Sequence, residues 1–421
     1  MIRIGGILIL LGLLAGCGTG RFANQNNFSH LYDKSTSAIH PEFLVYHQTA
    51  DTSILYFKIN SDELLYLRED QSKPFSAQAK IHYRVYASIE SKEILDSLTT
   101  TVVDRDNERK SKQLIGKLPL NLKMPGTYII KINTADAHRS SEHETVINID
   151  KSNTNTRQNF LIQTTDGETI FTTHLGRSLD LKISSNLNKG KKVFARYYNR
   201  DFPLAPPPFS MYRVKPFRYE ADSLFEQQLS NDGIMNLSTP ETGFLHLQTD
   251  TSAKAGLTLY RFQDGYPGVT QVKTMLEPLR YICAKEEFQK IAEAASPKEA
   301  VDQFWLDHAG SKERAREVIR KFYNRVQDAN THFTSHVEGW KTDRGLIAII
   351  YGTPNVIYKG SNSETWVYGE EHNIMSISFT FVKVNNPFSD NDFSLTRNTL
   401  YKTNWYRAVE SWRQGRVYSS N

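Results

Sequence analysis

Two cysteines in 421 residues exclude a disulfide-framed scaffold and any cysteine-rich zinc module. Excess charge is also scarce. The 51 Lys and Arg against 46 Asp and Glu leave +5 over the whole length, without the concentrated basic field of a nucleic-acid binder. No phosphate-cradling glycine loop, nucleophile elbow or dinucleotide fingerprint occurs, so no cofactor is expected. The one long apolar run, at the N-terminus, falls short of the ~20 residues that span a bilayer. What the chain does have is aromatics: 22 Phe, 21 Tyr and 5 Trp, a balance that favours β-rich structure over disorder. Its length suggests about three domains of ~100–200 residues.

Residues 1–16 place Arg3 before an apolar run that ends in small residues, the pattern of a secretory signal. Leu14-Ala15-Gly16-Cys17 resembles a bacterial lipobox, in which the peptidase cuts before a cysteine that carries the lipid. Several acyl chains, at ~0.8 kcal/mol per buried CH₂, make a stable anchor. Residues 18–31 contain no acidic residue. The inner-membrane retention aspartate and the acidic surface-export cluster are therefore both missing. The expectation is an outer-membrane protein held by lipid on Cys17 and facing the periplasm. Cys283 is then left without a partner, and its apolar setting predicts a buried, inert thiol.

The fold class expected is multidomain and mainly β: two tandem β-sandwich (Ig-like) domains, then a C-terminal α+β domain with amphipathic helices and a small antiparallel sheet. Residues 17–39 read as a polar tether. In 40–150, strict alternation over Ala79–Ser88 and strands at Ile54–Ile59 and Tyr128–Ile132 suggest a first sandwich. Lys151–Asn159 reads as a polar linker. In 160–276, strands are expected near Ser178–Ile183, Lys192–Tyr198, Gly243–Gln248 and Gly256–Phe262, without a residue-level repeat of the first region. Phe202–Phe209 holds three consecutive prolines, which give either a rigid crossover or a polyproline docking segment. In 285–421, Ser296-Pro297-Lys298-Glu299 reads as a capping box and Ser311 as a second helix start. Ala315, Val318, Phe322, Val326, Ala329 and Phe333 mark an amphipathic helix of about six turns. Strands are expected at Leu346–Tyr351 and Met375–Phe381, and a last helix carries Trp405, Ala408 and Trp412 up to Gly415.

Gly339-Trp340-Lys341-Thr342-Asp343 resembles the signature of the GWxTD-domain family. Arg344-Gly345, Tyr351-Gly352-Thr353-Pro354 and Glu364-Thr365-Trp366-Val367-Tyr368 continue the likeness, as do Phe322–Val326 upstream and the aromatic strand ending at Phe381. The resemblance covers about residues 285–415. It implies an exported protein, often a lipoprotein of Bacteroidetes-type bacteria with β-rich N-terminal domains, and implies no particular reaction.

Physically, Gly339 would permit positive φ, and Trp340 would cover a helix–sheet junction against Phe333 or Phe322. Thr342 and Asp343 would set the turn into the Leu346 strand, Arg344 would pair with Asp343, Glu364 or a partner protein's carboxylate, and Gly352 and Pro354 would make the next turn. The alternative is a carboxylate- or peptide-reading groove of Trp340, Asp343, Arg344, Trp366 and Tyr368. His332 and His336, four apart near a helix end, could place two imidazoles on one face for a metal, but no third ligand is evident and a solvated helix end is preferred. Ser141–Glu144 and Glu370–His372 read as solvent-facing charged turns. Asp390–Asp392 could offer oxygens to calcium but lacks the full loop spacing and terminal glutamate, so no metal site is expected. Two functions follow: a non-enzymatic scaffold or binding subunit of an envelope assembly with protein partners, or an envelope hydrolase or carbohydrate-binding enzyme sited in the C-terminal domain.

Overall fold

The computed structural model describes residues 27–418 except 107–109 and 213–216, so the leader and Cys17 lie outside the described residues. The alternating segments form β1 (Glu42–His47), β2 (Ser53–Asn60), β3 (Phe75–Tyr86), β4 (Asp96–Asp106), β5 (Gln113–Leu120), β6 (Thr127–Asp136) and β7 (Ser141–Asp150). Period-two burial, clearest in β2, β3, β4 and β6, gives these strands one face turned to the core. A three-stranded sheet, β1-β2-β5, therefore packs on a four-stranded sheet, β4-β3-β6-β7, over Leu55, Ile59, Ile81, Val85, Ile130 and Ile132. Tyr83 crosses between them, its hydroxyl donating to Pro119 O at 2.6 Å. Ser141–Glu144 is the start of β7 rather than a charged turn, because each residue pairs with β6.

The second region repeats this connectivity strand for strand: β8 (Leu161–Thr164), β9 (Asp180–Ser184), β10 (Lys192–Tyr198), β11 (Ser223–Gln228), β12 (Ile234–Ser238), β13 (Gly243–Gln248) and β14 (Leu257–Arg261). Its first, second and fifth strands make one sheet, and its fourth, third, sixth and seventh make the other, in the same order as before. The two sandwiches share a topology without sharing residues. The segment between them is no loose linker. Thr156 Oγ1 donates to Asp150 O at 2.8 Å, Asn159 Nδ2 to Thr156 Oγ1 at 2.7 Å, and Gln158 Nε2 to Asn148 O at 2.9 Å. Asn159 is buried. Its polar side chains close on local backbone, and the joint is fixed.

The C-terminal region holds α1 (Val272–Leu276), α2 (Lys285–Ala292), α3 (Pro297–Ala309), α4 (Lys312–Phe333), α5 (Asp343–Tyr351) and α6 (Tyr401–Arg413). They pack on an antiparallel meander, β15 (Val356–Lys359), β16 (Ser363–Tyr368), β17 (Ile377–Lys383) and β18 (Phe393–Leu395). Ser311 Oγ caps α4 through Arg314 N at 3.3 Å. Ser296 precedes α3, but its side chain makes no cap bond, so that capping box does not form. The stripe on α4 is buried as its spacing requires, and Trp305, Phe322, Trp366 and Trp412 fill the core.

The main departure from expectation is α5. Leu346–Tyr351 is helix, not strand. All these residues but Ala348 are buried, and an apolar run buried on several sides has no periodicity to separate the two forms. Met375 likewise falls outside β17 and is exposed on the loop before it.

Two stretches hold the regions together. The expected tether docks from Asn27 onward: Phe28 N donates to Ile357 O at 3.0 Å, its ring is buried in the C-terminal core, and His30 faces Glu144 of β7 at 3.4 Å. The proline-rich segment is a strap across the C-terminal region. Ala205 N donates to Lys341 O at 3.0 Å, Asn398 N to Pro208 O at 3.1 Å, and Phe209 packs on Tyr406. Phe388 plugs the second sandwich, packing on Tyr198, Phe217, Phe244 and His246. Truncating such a ring costs ~3–5 kcal/mol. Phe388→Ala is expected to raise hydrogen exchange in β13 and β14 and in residues 386–392 together, while β3 and β6 of the first sandwich keep their protection.

Candidate functional site

The signature at residues 339–345 forms a backbone knot where α4, α5 and the strap meet. Gly339 does not take the left-handed conformation expected of it. Its small size answers a close crossing, since a Cβ there would lie 2.0 Å from Ala329 O. Gly345 faces the same limit, 1.9 Å from Gly339 O. Gly339 N donates to Tyr266 Oη at 3.2 Å and Trp340 N to Asn330 Oδ1 at 3.1 Å, while Tyr281 Oη donates to Trp340 O at 3.0 Å. The buried Trp340 ring packs edge-on against Tyr281, and not against Phe333 or Phe322. Thr342 Oγ1 accepts Gly345 N at 3.0 Å and donates to Gly339 O at 2.8 Å, so it caps a helix rather than opening a strand.

Asp343 begins α5, where a carboxylate suits the helix dipole. It accepts Leu395 N at 2.7 Å and both terminal nitrogens of Arg397, one at 3.0 Å; Arg397 also donates to Pro206 O. Its partner is therefore Arg397, not Arg344. Arg344 points to the far side of α5 and is 2 % exposed. Its guanidinium lies between Phe393, 4.1 Å from the ring centroid, and Phe333, at 5.1 Å. Nη1 donates to Glu364 Oε1 at 3.3 Å, and Nη2 donates to Asn391 O at 2.9 Å and to Asn391 Oδ1.

Glu364, also 2 % exposed, collects the rest of a buried charge cluster. Lys359 Nζ lies 2.9 Å from Oε1, Tyr32 Oη donates to the same oxygen at 2.9 Å, and Trp366 Nε1 donates to Oε2 at 3.1 Å. Burial opposes the ionisation of Glu364, but Lys359 and Arg344 overcome it and hold the carboxyl down at about 2. Tyr32 comes from the N-terminal segment, 312 residues from Arg344, and no local signal announces it. Burial raises its hydroxyl, as does Glu364.

The remaining motif residues frame the end of α5. Tyr351 packs on Tyr368 and Phe379, and Gly352 sits at φ 86° with its carbonyl accepting from Tyr368 Oη at 2.8 Å. Pro354 is buried. Arg325 donates to Ile349 O and Ile350 O, satisfying the last carbonyls of α5. Trp366 packs between Phe333 and Phe381 with its ring tilted against both.

The signature thus does not gather into one groove. Trp340 and Asp343 lie on the strap side, while Arg344, Trp366 and Tyr32 lie on the sheet side. A cleft of about 760 Å³ opens between the second sandwich and Glu338 and Lys341, and neither Asp343 nor Arg344 lines it. His332 and His336 do not share a helix face, because α4 ends at Phe333. His332 meets Tyr32, and His336 meets Phe202 and Phe217. Asp390 faces Arg157, Asn391 serves Arg344, and Asp392 accepts from Asn386, so these three do not converge as a cation loop. Among the described residues, no group of three His, Cys, Asp or Glu side chains is placed to hold a metal ion. Burial pushes the Cys283 thiol up to about 12, which leaves it protonated and unreactive.

Removing one partner of a buried ion pair costs ~3–5 kcal/mol. Glu364→Gln is expected to lose that much in chemical denaturation at neutral pH. A carboxyl held below its ordinary 4.5 gives stability that is complete above that value and fades as pH falls towards about 2. The gap between wild type and Glu364→Gln is therefore expected to close across that window. Trp340→Ala is expected to cost ~3–5 kcal/mol from the lost ring and the cavity left behind. Gly339→Ala is expected to cost ~1–3 kcal/mol or more, because the facing atoms are backbone. A Trp340→Ala chain that melts like wild type would contradict the packing role.

Among curated proteins, no relative matches this chain. Compared with protein-family models, residues 243–414 match the GWxTD domain, a span that starts at β13 and takes in the last two strands of the second sandwich. The knot at residues 339–345, the charge cluster beneath it and the helices that carry them therefore belong to a GWxTD domain.

Proposed function

We propose that this chain is an outer-membrane lipoprotein, anchored through lipid on Cys17 and facing the periplasm. It serves there as a non-enzymatic scaffold or binding subunit of an envelope protein assembly for secretion, barrel assembly or envelope maintenance. The Leu14–Cys17 spacing supports the anchor. One observation carries the non-enzymatic reading: Asp343 and Arg344, the two charged groups at the start of α5, are saturated from within. Asp343 is held by Arg397 and Leu395 N, and Arg344 by Glu364 and Asn391. A general base or a substrate-binding cation needs an open side with free valence, and these groups face their partners in the interior. Two β-sandwiches fixed to the domain by the strap and by the docked N-terminal segment suit a rigid subunit with wide lateral surfaces.

Two measurements test this. Lipid labelling is expected on the wild-type chain and absent from Cys17→Ser, which accumulates as uncleaved precursor; labelling that persists in the variant rules out the anchor. Affinity purification from detergent-solubilised membranes is expected to recover the same envelope proteins repeatedly in fixed ratio. Repeated recovery of the lipoprotein alone rules out the subunit role.

A further inference from the structure

We propose that the β16–β17 loop, through Ile374 and Met375, rests in the headgroup layer of the membrane that carries the anchor. On this view the GWxTD domain, and not the first β-sandwich, lies against the bilayer. The inference rests on lipid attachment at Cys17 and begins from where the described chain starts. Asn27 Nδ2 donates to Asn355 O at 2.9 Å, and its Oδ1 accepts Ile357 N at 3.0 Å. Asn355 Oδ1 in turn accepts Gly369 N at 2.8 Å, at the first residue of the loop. The point where the chain reaches the fold and the base of the loop are thus joined through one asparagine. Nine residues lie between Cys17 and Asn27, ten steps of chain that at full extension span at most about 35 Å. An acylated Cys17 therefore keeps this corner of the molecule near the lipid.

The loop presents what a membrane surface takes up. Ile374 is 97 % exposed, the highest value among large apolar side chains of the described residues, and its neighbour Met375 is 80 % exposed. The pair is held out by a bonded turn. Ser376 Oγ donates to Glu370 O at 2.7 Å, Asn373 N to Glu370 O at 3.2 Å, and Met375 N to Asn373 Oδ1 at 2.9 Å. Two adjacent apolar side chains are far too small a patch for a stable protein interface, which buries ~1,200–2,000 Å². They match shallow insertion beside an anchor that already supplies the affinity. Glu370 and Glu371 stand just before them in the same loop, so the fitting surface is zwitterionic lipid, and an anionic leaflet would repel the loop.

The test uses the full-length acylated protein in vesicles of phosphatidylcholine and phosphatidylethanolamine containing a shallow spin-labelled lipid. In a Cys283→Ser background, an environment-sensitive fluorophore is placed at Ile374→Cys or at Met124→Cys, which is exposed on the first sandwich. The expected result is blue-shifted emission and several-fold stronger quenching at 374 than at 124, reduced when phosphatidylglycerol replaces part of the lipid. Equal quenching at both positions, in protein whose acylation is verified by mass, overturns the proposal and leaves the anchor standing. An unacylated Cys17 overturns the anchor, and the proposal with it.

Discussion

A carboxylate placed in a protein interior must be met by cations and donors, and Glu364 makes that demand of three separate stretches of chain. Lys359 reaches it from the neighbouring strand, Arg344 from the first turn of α5, and Tyr32 from the segment that precedes the first sandwich. The desolvation cost of such a centre is repaid only when every partner is in place. The helix, the meander and the N-terminal segment are consequently fixed with respect to one another. Without Tyr32, the lysine and the glutamate would each lose a hydrogen-bond partner in a site that excludes water.

The signature residues on the other side of α5 work by closeness rather than charge. Gly339 and Gly345 are there because two pieces of backbone cross with no room for a Cβ. Asn330, Tyr266 and Tyr281 satisfy the amides and carbonyl that the crossing leaves without helix partners. The salt bridge from Asp343 to Arg397 then continues to Pro206 O, which ties the knot to the strap from the second sandwich. The residues of this motif fix the path of the chain where α4, α5 and the strap meet.

The strap and the docked segment also change how the sandwiches are understood. Each has its own apolar core, yet Phe388 joins Tyr198, Phe244 and Tyr260 of the second in a separate aromatic cluster, and Ser361 bonds to Glu90 of the first. The shared strand order arises because alternation and turn placement dictate which strands can pair, while many apolar side chains can fill the space between the sheets. The topology therefore repeats where the residues do not.

By itself the sequence determined what local periodicity can carry. The alternating strands β2, β3 and β10, the closing strand β13, the stripe on α4, the Ser311 cap and the last helix all lie where the local sequence pattern puts them. The family likeness on residues 339–345 was legible for the same reason, being written in contiguous residues. Only the tertiary structure decided that Leu346–Tyr351 coils. A run buried on several sides carries no period, and the Thr342 cap has meaning only once Gly345 is seen to close on it. It alone decided that Asp343 takes Arg397 and Arg344 takes Glu364, because partners 20 and 54 positions away are matched by the path of the chain between them. It alone showed that the described part of the expected tether, from Asn27 onward, docks on the C-terminal core through Phe28. Polar, asparagine-rich sequence looks solvated until its donors and acceptors are found on β15, and the pull of a distant buried charge on Tyr32 leaves no trace in neighbouring residues.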